Sequence, residues 1–151
     1  MLFIDLIELE GKNMTKINGH IGTIFLQIAL SMLFIVGGIW TLQSGNGDEI
    51  SQAIKYIFSG DVSKILCIVF GIIEIIAGVF LFLRLFLNIG TLFDSVLMII
   101  ILISWIVAIV IIDFLGYDSL FKNLNGGFLG FLNRFSKHLL VLGAIIRVKN
   151  I

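Results

Sequence analysis

Residues 92–114 read LFDSVLMIIILISWIVAIVIIDF, an apolar run whose only charges, Asp94 and Asp113, stand near its two ends. About 20 such residues are enough for a helix to cross the hydrocarbon of a bilayer. The run shows neither strict alternation nor a single apolar face, so it fits no half-buried element of a soluble domain. It fixes the class: a helix immersed in lipid.

Three further runs extend that reading. Residues 21–42, IGTIFLQIALSMLFIVGGIWTL, give span one, and residues 62–86 give span two, with Glu74 inside it and Arg84 near its end. Residues 128–148 give span four, interrupted by NRFSKH at 133–138 and followed by a basic flank, Arg147 and Lys149, that suits a membrane surface. An interfacial helix lying flat is the alternative for this last segment. The composition agrees: of 151 residues 59% are hydrophobic and only 13% charged, with no proline, whereas a soluble domain carries about 25% charged residues. The expectation is an all-α integral membrane four-helix bundle, one domain over 20–148, with an N-terminal segment 1–19 and a tail 149–151. Its main partner is the lipid bilayer.

Between spans one and two lies QSGNGDEISQAIKYIFSGD. Gly45 and Gly47 break the first helix, Asp48 is placed to cap a second, and Glu49 falls in its first turn. Ile50, Ala53, Ile54 and Ile57 recur at helical spacing, which predicts a short amphipathic interfacial helix resting on the membrane face. The loop after span three, GYDSLFKNLNGG, reads as a turn-rich connection. Glu10-Gly11 ahead of Met14 resembles a translated ribosome-binding site, so translation is expected to start at Met14, which N-terminal mass spectrometry would test. Four spans put both termini on one side. Lys and Arg are nearly balanced between the two sides, and the cytoplasm is the expected side for the termini.

Within span two the carboxylate of Glu74 stands out. Residues three or four apart share a helix face, so Cys67, Gly71, Glu74 and Gly78 form one stripe, with Ile72, Ile76, Val79 and Leu83 opposite. Small residues let membrane helices approach closely, and polar ones avoid lipid by pointing inward. Gly38 in span one, together with Gln27 and Ser31, and Gly143 in span four read as further helix-packing positions. An unpaired ionised acid in the bilayer costs several kcal/mol. Spans two and four run in the same direction, and a rise of about 1.5 Å per residue puts Lys137 and His138 near the depth of Glu74. Glu74 is therefore expected either to be protonated or to pair with Arg134, Lys137 or His138, which share one face. Asp94 and Asp113 are expected to reach water or cap helix ends.

Several chemistries drop out. A net charge of zero gives no case for nucleic acid. The single Cys67 allows no disulfide or C-x-x-C pair within the chain and reads as a small apolar helix residue. His20 and His138 are about 15 Å apart along the membrane normal, too far to share one iron. No metal-ligand spacing, phosphate loop or nucleophile elbow is present, so independent catalysis is not expected and no cofactor is evident.

Three stretches, IALSMLFIVGGIWTL, FGIIEIIAGVFLFL and FSKHLLVLGAII, together resemble the DoxX-like family of small bacterial four-span membrane proteins, over most of residues 20–147. Glu74, Gly78, Lys137 and Gly143 fall on matching positions, whereas Thr41 and His138 depart from the family's usual residues. The resemblance implies an inner-membrane accessory subunit of a redox system, quinone-linked or tied to oxidative stress, beside a membrane or soluble redox partner protein. Two other readings stand beside it. One is a small carrier or channel whose homo-oligomer uses Glu74, Lys137 and His138 as a polar path; the other is a structural assembly protein.

Overall fold

The computed structural model describes residues 2–43, 48–87, 90–117 and 127–150, with side chains from His20 onward. The glycine break at 45 and 47, most of the connection after span three and the side chains around Met14 lie outside them. The described residues are all-α. Helix α1 spans Leu2–Leu42, α2 Glu49–Ile57, α3 Asp61–Leu83, α4 Thr91–Ile109 and α5 Gly127–Lys149, and α4 continues into a π-helical turn, Val110–Leu115. Four segments are long and apolar enough to cross a membrane: His20–Leu42, Asp61–Leu83, Thr91–Leu115 and Gly127–Lys149. The outward face of α3, with Ile72, Ile76 and Val79 exposed, is suited to acyl chains.

Helices α1 and α3 touch backbone to backbone. A Cβ on Gly38 would lie 2.6 Å from Gly71 O, and one on Gly78 would lie 2.7 Å from Ser31 O, so glycine is what permits this distance. Gln27 Nε2 donates to Leu81 O across the same seam at 2.9 Å, which satisfies a buried amide without exposing it to lipid. Gly143 departs from the expected packing role: it faces outward, and an added Cβ would meet nothing within 4 Å.

Helix α1 stops early. A Cβ on Gly71 would press on the side chain of Leu42, so α1 ends level with a residue ten positions into α3, about 15 Å along its axis. Helix α2 occupies the vacated end. Asp48 caps it, accepting from Ser51 N at 2.7 Å, as its residue type favours. Ile50, Ala53 and Ile54 are buried, against α3 and the π turn. The amphipathic face thus packs Ile50, Ala53 and Ile54 on protein, while Tyr56 and Phe58 stay exposed. Tyr56 packs edge-to-face on Tyr117 at 5.3 Å, joining α2 to the segment after the π turn.

Asp94 and Asp113 also differ from expectation, since neither simply meets water. Asp94 approaches Arg84 Nε at 2.6 Å, linking α3 to α4, while Arg84 Nη1 donates to Val148 O of α5 at 2.8 Å. Asp113 has no exposed surface at all. A group that ends an apolar run in sequence can still lie inside, because the chain beyond it and α2 close over it.

Candidate functional site

Glu74 lies on the inward stripe of α3 and is 8% exposed. Its Oε2 lies 3.1 Å from Thr41 Oγ1. The same hydroxyl stands 2.9 Å from Asp48 Oδ2 and 3.0 Å from Gly37 O. This meeting of three helices follows from the early end of α1: Thr41 sits in its last turn, and Asp48 opens α2 beside it.

A second cluster lies next to the first. Asp113 Oδ2 is 2.6 Å from His138 Nδ1, and Asp113 Oδ1 accepts from Arg134 Nε at 3.1 Å. His138 Nε2 lies 3.1 Å from Glu49 Oε2. Both ring nitrogens thus face carboxylates, and only the imidazolium donates through both. Two acids and two bases then balance, as a buried ionic group requires. Trp105 Nε1 donates to His138 O at 3.1 Å and holds that turn of α5 against α4. Phe34 meets the Trp105 ring edge-on at 5.5 Å. Glu49 lies outside the spans, and the hydrogen bond from His138 holds its carboxyl below the ordinary value, outweighing the opposite effect of burial.

The two clusters border one pocket of about 490 Å³, lined by Asp48, Glu49, Glu74, Lys137 and His138 on its polar side. Trp40, Trp105, Met32, Leu33 and Val36 form the apolar side. Trp40, Met32 and Leu33 are themselves exposed on the apolar belt, so the pocket borders the surface that lipid would cover. A smaller, more polar pocket of about 280 Å³ lies toward the α2 end, and Glu49 and Ile112 line both.

Of the residues singled out from sequence, Glu74, Lys137 and His138 line the same pocket. Arg134 lines the smaller one. The expected pairing of Glu74 with these bases is replaced by another arrangement: Glu74 bonds to Thr41, and Arg134 and His138 turn to Asp113. Their i, i+4 spacing on α5 aims both at one anion, and that anion comes from the end of span three. Gly38, Gly71 and Gly78 sit at the α1–α3 crossing. Sequence reasoning missed Asp113, Thr41, Asp48 and Glu49 as site residues. The one available signal was Arg134 with His138, two cations on one apolar helix that demand a buried acid. Among the described residues no group of three His, Cys, Asp or Glu side chains is placed to hold a metal ion.

Comparison with family models, with characterised proteins and with solved structures gave no match to this chain.

Proposed function

We propose that the chain is a DoxX-like accessory subunit of a membrane redox system and that its pocket takes a quinone head group. One observation carries the reading: a pocket with an acid–base end and a wall of tryptophan and aliphatic side chains, open toward the lipid-facing surface. Its volume lies within the roughly 300–1,000 Å³ usual for small-molecule sites. A quinone supplies two-electron chemistry coupled to protons. This chain's part is to stack the planar ring against Trp40 and Trp105, leave the tail among the apolar side chains, and offer Glu74 and His138 to the ring oxygens. In this reading electrons would be handled by a partner enzyme, membrane-bound or soluble. The inner membrane, with both termini in the cytoplasm, is the location this reading assigns.

The chain has only two tryptophans, and both line the pocket. A short-chain quinone titrated into the detergent-purified protein should therefore quench its fluorescence saturably. Glu74→Gln should weaken that response while the fold persists. Linear, unsaturable quenching identical in both proteins would reject the reading.

A carrier is the second reading. The two pockets share Glu49 and Ile112 as a common wall, so a polar route from the α2 end to Glu74 would pass between those side chains. Liposome flux abolished by Glu74→Ala would favour it.

A further inference from the structure

We propose that Asp48 and Glu74 act as one couple, sharing a single exchangeable proton across the Thr41 hydroxyl and passing it between the pocket and the N-terminus of α2. The proposal goes beyond the quinone reading and holds whatever the pocket takes.

It begins with a count of donors. Three acceptor oxygens surround Thr41 Oγ1: Asp48 Oδ2 at 2.9 Å, Gly37 O at 3.0 Å and Glu74 Oε2 at 3.1 Å. A threonine hydroxyl has one proton to donate and lone pairs to accept with. If both carboxyls were ionised, two of the three oxygens would face those lone pairs with no proton between them, and buried polar groups left so are costly. One added proton serves both carboxyls, and Gly37 O, a backbone carbonyl inside α1, has the helix ladder to satisfy it. Glu74 then donates through Oε2–H to Thr41 Oγ1, and Thr41 donates to Asp48 Oδ2, which also accepts from Ser51 N at 2.7 Å.

The reverse arrangement is equally complete. The Oε2–H bond breaks as its proton joins Oγ1, and the original Oγ1–H proton moves to Oδ2. One proton leaves Glu74, one arrives at Asp48, the hydroxyl is regenerated and no electrons move. Asp48 is a good terminus for the charge left after the proton returns, because the N-terminus of α2 carries partial positive charge.

A second observation ties the couple to a ligand. Among the described residues no partner reaches the other oxygen of Glu74, Oε1, although the side chain is more than nine-tenths buried and lines the pocket. Gly37 lies beside it: a Cβ there would sit in ordinary contact, 3.7 Å from Oε2 and 3.9 Å from Oε1. An occupant with a hydroxyl or amine group could exchange its proton at Oε1 while Oε2 stays in the chain.

The other charged groups that line the pocket with the couple are Glu49 from α2 and Lys137 and His138 from α5; α1 and α4 bring none to that lining. Glu49 and His138 bond to each other, and Asp113 and Arg134 complete that cluster. The contacts of the couple, to Thr41, Gly37 and Ser51, include no hydrogen bond to that closed neighbour.

Infrared spectroscopy of the full chain in detergent tests the proposal. At neutral pH the spectrum should show the C=O stretch of a protonated carboxylic acid, moved by exchange into D₂O and absent in Glu74→Gln. In Asp48→Asn and Thr41→Val that band should shift or vanish, although neither change alters Glu74 itself. Asparagine caps helices as well as aspartate, so α2 should persist in Asp48→Asn, and thermal unfolding checks this. No protonated band in the wild type, or one with the same position and titration in both variants, would overturn the couple. Should the variants fail to fold, the wild-type titration decides: a shared proton changes the shape of the band, while an isolated acid loses amplitude only and sinks the proposal. Loss of quinone quenching with the band intact would count against the pocket's ligand and not against the couple.

Discussion

The two ends of the bundle both bury charge, and they do so differently. At the end that carries the chain termini, Arg84 meets one acid, Asp94, and one carbonyl, that of Val148. The charges balance there, although Asp94 Oδ1 accepts no well-aligned hydrogen bond, and three helices are fastened by the contact. At the α2 end, Asp113, Arg134, His138 and Glu49 also close, two acids against two bases. Immediately beside them, however, Asp48, Thr41, Gly37 and Glu74 bring more acceptors than donors to one point. A pair that balances is a fastener; a set that needs a proton from outside responds to its surroundings. That contrast, more than the number of buried charges, marks the α2 end as the site.

Breaking the closed cluster should have the largest effect. Asp113→Ala leaves Arg134 and His138 without their buried anion and is expected to cost about 3–5 kcal/mol, read as a steep fall in the thermal unfolding midpoint in detergent. If the α2 end tolerated this change better than the opposite end tolerates loss of its clasp, the comparison would be reversed. Arg84→Gln should cost less, about 1.5–3 kcal/mol, because hydrogen bonds to a charged group are lost at a half-buried site. Gly38→Val should cost about 1–3 kcal/mol by driving α1 from α3, since its Cβ would lie 2.6 Å from Gly71 O. Gly143→Ala meets open space and should stay within about 0.5 kcal/mol.

The smallest effect concerns pH. Glu49 has its carboxyl held below the ordinary value of 4.5, chiefly by the hydrogen bond from His138. A depressed acid stabilises the fold fully above that ordinary value, and the contribution is lost as pH falls through the lower folded value. Glu49→Gln should therefore lower stability slightly above about pH 4.5, leave the acid end nearly unchanged, and so flatten the acid limb of a stability-against-pH curve. Its side chain is 54% exposed, so the change is modest.

The four spans were legible because hydrocarbon thickness dictates the length of each apolar run, and nothing local competes with it. The N-cap of α2 was legible for a similar reason: Asp48 acts through its nearest neighbours in sequence. What escaped was the stagger of α1 against α3. The stripe of Glu74 can be drawn from helical spacing, and the end of α1 from the glycines after it, but the contact of Glu74 with Thr41 depends on Leu42 lying beside Gly71, which spacing within one helix does not give. Asp113 was misplaced for the same kind of reason. Position at the edge of a run says how far a residue lies along the helix, not what folds over it, and the π turn that carries it leaves no mark in the apolar pattern.

The stagger of the first helix against α3 has a consequence for the surrounding lipid. At the α2 end the apolar wall of α1 stops level with Gly71, well short of the start of α3, so acyl chains on that flank would tilt or compress to match it. Phospholipid headgroups would then ride lower there, and a hydrated dimple in one leaflet would lie beside Trp40, giving amphiphiles a shallower way in than the intact bilayer offers.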